Sequence, residues 1–153
     1  MRGPGLASLR RLFVQRDLRL TLVMFFLGLG MFNAISTCID AICEQKGLDV
    51  EQTGLVGGSM LIAGIAGGVV LPLLSDRLRR RRAFLIACMA CTLPGVLGLA
   101  LFADHALLLA SSALIGFFLL GGGAPIGFQY AAEVSHPMPE SLAQGVILMS
   151  GQL

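Results

Sequence analysis

Long apolar runs separated by short polar stretches organise this chain. Four of them occupy residues 20–39, 53–74, 83–102 and 107–130, and a fifth begins at 141 and is cut at Leu153. At 1.5 Å rise per residue, a run of about 20 residues spans a hydrocarbon core of about 30 Å. The pattern therefore predicts an all-α, multi-span transmembrane helix bundle over 20–153, behind a polar lead-in at 1–19. The fifth run holds about a dozen residues, too few to cross a bilayer.

Charge sharpens this picture. The chain is 56% hydrophobic and only 13% charged, with a net charge of +2, and its mean hydropathy is +0.83. All ten arginines fall in two clusters, Arg2 to Arg19 and Arg77 to Arg82, and the eleventh basic residue is the isolated Lys46. Arginine near the end of a spanning helix is held on the cytoplasmic side. Alternation then makes both clusters cytoplasmic and puts the acidic connection 41–52 and the turn 103–106 outside. Apolar runs on both sides of the Arg77–Arg82 block argue against a nucleic-acid patch. Arg10-Arg11-Leu12-Phe13 is a weak match to a twin-arginine signal, and four further spans without an Ala-x-Ala cleavage site argue against export. The expected location is the cell membrane, with a cytoplasmic N-terminus.

Polar residues inside apolar runs mark candidate chemistry. Asn33, Ser36, Thr37 and Asp40 recur at helical spacing in the outer half of the first span, so they share a face. In lipid such a stripe belongs toward a cavity or toward hydrogen bonds with neighbouring helices, and both readings stand. The second span carries two small-xxx-small patterns, Gly54–Gly58 and Gly64–Gly68, which permit close helix approach. Pro72 is expected to kink or end that helix. Cys88 and Cys91 form a CxxC in mid-span with no histidine nearby, which favours packing over metal or redox chemistry. Four cysteines do not make a secreted disulfide scaffold. Gly121-Gly122-Gly123-Ala124-Pro125 is no phosphate loop, lacking a following Gly-Lys-Ser/Thr, and suits a bendable or close-packed helix. Val134-Ser135-His136-Pro137 should break the fourth span, Ser141 can cap the fifth, and His105 should be solvated. The sequence holds no HExxH, no Gly-x-Ser-x-Gly and no cluster of histidines, so no enzyme, cofactor or metal site is expected.

Asp76-Arg77 at the end of a glycine-rich span, followed by a basic loop, resembles the cytoplasmic motif of the major facilitator superfamily. That motif reads roughly Gly-x-x-x-Asp-Arg-x-Gly-x-Arg-Arg after the second span and recurs in degenerate form after the eighth. Here Pro72 replaces the first glycine and Arg79 the second, which favours the degenerate copy. The stretch 124–137 (Ala-Pro-Ile-Gly-Phe-Gln-Tyr-Ala-Ala-Glu-Val-Ser-His-Pro) and Asn33-Ala34-Ile35-Ser36-Thr37 resemble the C-terminal half of the feline leukaemia virus subgroup C receptor-related transporters. On that resemblance the five runs correspond to spans seven to eleven of a partial six-helix half.

The resemblance implies alternating-access transport of a small solute such as choline, ethanolamine or haem. It implies a substrate cavity drawing on an aromatic residue of span seven and a glutamine of span eleven. Phe32 lies near the first position and Gln152 matches the second. Phe32, Asn33, Ser36, Thr37 and Gln152 are thus the candidate cavity residues, although Phe32 suits a packing role equally well. An aromatic face with a neutral amide would suit a quaternary ammonium. Asp76, Arg77 and Glu133 are the candidate cytoplasmic latch, while Arg79 to Arg82 fix topology and touch lipid headgroups. Asp76 would sit best at a helix N-terminus. The expected partners are membrane lipid, a small-molecule substrate, and either a missing N-terminal half or a second copy; no nucleic acid is expected. The chain is not expected to transport by itself. The alternative is a small membrane protein with a packing or regulatory role.

Overall fold

The computed structural model describes residues 16–135 and 140–152. The lead-in up to residue 15 and the break at 136–139 lie outside the described residues. Every regular element among them is helical. Helix α1 is Arg16–Gln45, α2 is Val50–Leu78 and α3 is Arg81–Leu101. Helix α4 is His105–Ser135, and α5 is Glu140–Gln152. The first four are long and apolar enough to cross a membrane.

The chain divides into two compact units, Met31–Ile126 on the one hand and Met1–Gly30 with Gly127–Leu153 on the other. In the larger unit, Ile35, Ile39 and Cys43 of α1 meet Val56 and Met60 of α2, Leu99 of α3, and Leu108, Ile115 and Leu119 of α4. Their spacing of four or seven along α1, α2 and α4 is the single face that a helix can bury. In the smaller unit, Leu18, Leu22 and Phe25 of α1 bury against Ala131 of α4 and Ile147 of α5. The rings of Phe25 and Phe128 stand 5.0 Å apart at 49°. A Cβ on Gly151 would come within 2.7 Å of Leu29 Cβ, so α5 needs a glycine there.

Local chemistry sets the helix ends of the larger unit. Gly47 has φ 78°, the left-handed backbone that glycine adopts without strain. The Gly47 amide donates to Glu44 O (2.9 Å) and the Leu48 amide to Cys43 O (3.1 Å). This is a Schellman end, with Leu48 folded back onto the core. It carries α1 to Gln45, past the expected end at Ile39. Asp49 then opens α2 with a reciprocal capping box: its carboxylate accepts from the Gln52 amide at 2.8 Å, and its own amide donates to Gln52 Oε1 at 3.3 Å. Asp104 caps α4 by accepting from the Leu107 amide.

Pro72 does not end α2, which continues to Leu78, and Pro94 likewise lies inside α3. In a membrane helix the carbonyl freed by proline is accommodated by neighbouring helices rather than by unwinding. The glycine run produces something more specific than a bend. Residues Gly116–Gly123 of α4 form a π-helical segment, and α2 lies directly against it. A Cβ at Gly67 would overlap the Phe117 carbonyl, and one at Gly116 would overlap the Met60 carbonyl. A Cβ at Gly121 would fall 2.6 Å from Gly67 backbone, and at Gly122 2.6 Å from Cys88 Sγ. Of the two small-xxx-small patterns, Gly64–Gly68 faces this contact, whereas Gly54, Gly57 and Gly58 face open space. Cys88 is accordingly a packing residue, buried beside Gly122.

Lys46 has a role that its isolation in the sequence concealed. Its ammonium donates to the Ala100 carbonyl at 3.2 Å and also to the Phe102 carbonyl. These are carbonyls at the C-terminal end of α3, where unpaired acceptors and the helix dipole favour a cation. The bond puts the connections after α1 and after α3 at one end of the unit. The arginine turn lies at the far end of α2 and α3, which are 29 and 21 residues long. His105, at the same end as Lys46, is half-buried rather than solvated, and its Nε2 has no partner among the described residues. Lys46→Met keeps the apolar stem and removes the cap, so it should lower the stability of the purified chain by about 1 kcal/mol in thermal unfolding. An unchanged midpoint would mean that those carbonyls need no cap.

Candidate functional site

The polar stripe of α1 has the features of a surface built for something other than lipid. Ser36, Thr37 and Asp40 are exposed and Asn33 is half-buried, while the adjoining face carries the buried Ile35, Ile39 and Cys43. Several hydroxyls elsewhere satisfy themselves locally, although the buried Ser75 Oγ has no hydrogen-bond partner among the described residues. Thr21 donates to Asp17 O at 2.9 Å, Thr92 to Cys88 O at 2.8 Å, Ser111 to Leu107 O at 2.7 Å and Ser150 to Ile147 O at 2.7 Å. Between α2 and α4, Ser59 and Ser112 share a hydrogen bond of 2.6 Å within the apolar layer. By contrast, the side chains of Asn33, Ser36, Thr37 and Asp40 make no hydrogen bond among the described residues. Four unpaired polar side chains facing hydrocarbon would cost several kcal/mol, so water or a polar partner belongs on that face.

Phe32 sits beside the stripe, half-buried and packed against the core cluster of the larger unit. Its ring is thus at least partly committed to packing. Gln152 is exposed near the end of α5 and belongs to the smaller unit, as does the exposed Glu133 near the end of α4.

At the other end of the larger unit the Asp76 carboxylate pairs with Arg81, Oδ1 to Nη2 at 3.0 Å. Asp76 lies in the last turn of α2, and Arg81 is the first residue of α3. Arg80, at the N-cap of α3, provides no side-chain cap, and the first turn of α3 has no acid of its own. Asp76 thus stands at the C-terminal end of α2 rather than at the helix N-terminus expected for it, and it reaches α3 only through the Arg81 side chain. Arg77 makes no ion pair among the described residues. Between the helices, Arg79 adopts φ 50° and ψ 33° as the C-cap of α2, a left-handed conformation costly for any side chain.

A family profile for the Major Facilitator Superfamily matches residues 20–153. The chain belongs to that superfamily. Its similarity extends to an uncharacterised MFS-type transporter of Caenorhabditis elegans, 31% identical over 95% of this chain and 25% of the relative. Solute carrier family 49 member A3 of Danio rerio is 30% identical over 98% of this chain and 32% of its own length. The human choline/ethanolamine transporter FLVCR2 is 29% identical over 97% of this chain and 29% of its own length. The chain therefore spans about a quarter to a third of the relatives it matches. These relatives are transporters, and with four spanning helices the chain is a multi-pass membrane protein.

Major facilitator membership makes sense of Arg79. The cytoplasmic motif places its second glycine at this position, and the left-handed C-cap supplies a physical reason: only glycine takes that backbone without strain. Sequence reasoning had the substitution but not its geometry. Lys46 and the Ser59–Ser112 bond were also missed. Ser59 and Ser112 were visible as hydroxyls inside apolar runs, while Lys46 gave no signal beyond its isolation. The Asp76 and Arg81 side chains are 49% and 26% exposed, so water screens their pair. Asp76→Asn should change the stability of the purified chain by less than about 1 kcal/mol. A loss of several kcal/mol would mean that the pair is desolvated and tightly coupled to its surroundings.

Proposed function

We propose that this chain supplies spans seven to eleven of a twelve-span transporter that moves a small amine or cationic metabolite by alternating access. The observation that carries this reading is the unbonded face of Asn33, Ser36, Thr37 and Asp40 on α1. A solute-lined path explains why these groups forgo the local carbonyl bonds that Thr21, Thr92, Ser111 and Ser150 make. Similarity to the human choline/ethanolamine transporter supports choline or ethanolamine as the substrate class. Phe32 would offer a ring face to a quaternary ammonium and Gln152 a neutral amide, leaving the charge of the cargo uncancelled and its release easy. The other half of the transporter, or a second copy, would complete the path, and the two halves would rock about it. By themselves the 153 residues are not expected to transport.

On this reading the arginine clusters and the N-terminus lie in the cytoplasm of a cell-membrane protein. Asp76 and Arg77, with Glu133 as a further acid, would form charge contacts that differ between inward- and outward-open states.

The test is a chimera in which residues 20–153 replace the matching stretch of the Danio rerio relative, assayed for uptake of labelled choline and ethanolamine in vesicles. Asn33→Leu with Thr37→Val should reduce uptake at least about tenfold, the effect of losing 1–2 hydrogen bonds to cargo or its water. Glu133→Gln should shift the balance between inward- and outward-facing states. Full uptake by the Asn33/Thr37 variant would remove the stripe from the path, and unchanged state balance in Glu133→Gln would remove the latch.

A further inference from the structure

We propose that the turn joining α2 to α3 is a binding surface for anionic phospholipid headgroups in the leaflet on its own side of the membrane. Within residues 75–82 five arginines stand against one aspartate, and that aspartate is engaged with Arg81. Arg77, Arg79, Arg80 and Arg82 are all exposed. Beside them, Leu73, Leu74 and Leu78 are also exposed, at 62%, 44% and 55%. Guanidinium groups thus begin where an acyl-facing surface ends, the level at which lipid phosphates lie. A soluble polyanion would match the charge but not the leucines.

Arg79 strengthens the case. It is the only non-glycine residue with positive φ among the described residues. Glycine would relieve the strain, yet the position holds an arginine. Strain retained at a particular side chain points to a use for that side chain. Arg79 and Arg80 are adjacent and both exposed in the turn between α2 and α3, and guanidinium groups are bidentate donors suited to phosphate oxygens.

The experiment uses the full chain reconstituted in phosphatidylcholine bilayers doped with spin-labelled phosphatidylserine or spin-labelled phosphatidylcholine. The protein-immobilised fraction of each label is then measured. The expected result is a preference for phosphatidylserine that weakens with salt and falls about fivefold in Arg79→Gly. That same variant should unfold at a higher temperature than the parent, because the strain is gone. Opposite signs in the two readouts separate a lipid-binding role from a structural one. Lys46→Gln, at the other end of the unit, should leave the preference unchanged. Equal immobilisation of both labels by the parent would overturn the proposal, as would a preference intact in Arg79→Gly. Full displacement of labelled phosphatidylserine by millimolar inorganic phosphate would also overturn it, since the site would then belong to a free anion.

Discussion

Backbone-to-backbone contact between α2 and the π-helical segment of α4 governs the larger unit. In lipid, side chains gain little by leaving one apolar medium for another, so helices associate through close packing and polar contacts. Gly67 against Phe117, Gly116 against Met60 and Gly121 against Gly67 bring main chain onto main chain. Over such a short separation dispersion contacts are numerous, and each is lost if a methyl group intervenes. The π-helical segment belongs to the same contact. Its wider turn presents Gly116, Phe117 and Gly121 together to α2, although the sequence places them at differing intervals.

Other polar features of the unit support that contact or are spared by it. Ser59 and Ser112 tie α2 to α4 by 2.6 Å just outside the glycine contact. Gly95 and Gly98 of α3 lie close against Ser111 and Ile115 of α4, so α4 is held from two sides. Lys46 fixes the end of α3 to the end of α1, and Asp76 joins α2 to α3 at the opposite end. With these groups paired, the stripe of Asn33, Ser36, Thr37 and Asp40 on α1 remains unbonded, and on the proposed function it faces the solute path.

Much of the helical architecture was legible because lipid imposes coarse rules. A run of about 20 apolar residues has few alternatives to a helix, and the Arg77–Arg82 block sits at the end of α2 as its charge demands. Details that depend on tertiary partners were less legible. The polar residues of 41–52 suggested a loop, yet α1 continues to Gln45 before Gly47 ends it. Pro72 was expected to kink or end α2, and the helix runs on through it to Leu78. Gly54–Gly58 and Gly64–Gly68 read alike in sequence, and only the second finds a partner in this chain. The stripe at Asn33, Ser36, Thr37 and Asp40 was visible from spacing. Its lack of hydrogen bonds was not, because local spacing is equally compatible with self-satisfied hydroxyls. The reason for a glycine at the position of Arg79 emerged only with the left-handed C-cap.

Paired substitutions on α2 test the central contact most directly, with thermal unfolding of the purified full chain in detergent as the readout. Gly67→Ala and Gly57→Ala confer the same gain in helix propensity, about 1 kcal/mol, but only the first adds a methyl against the Phe117 carbonyl. The account predicts that Gly57→Ala unfolds at or above the parent temperature, while Gly67→Ala loses about 1–3 kcal/mol to overpacking. Equal midpoints for the two variants would contradict it.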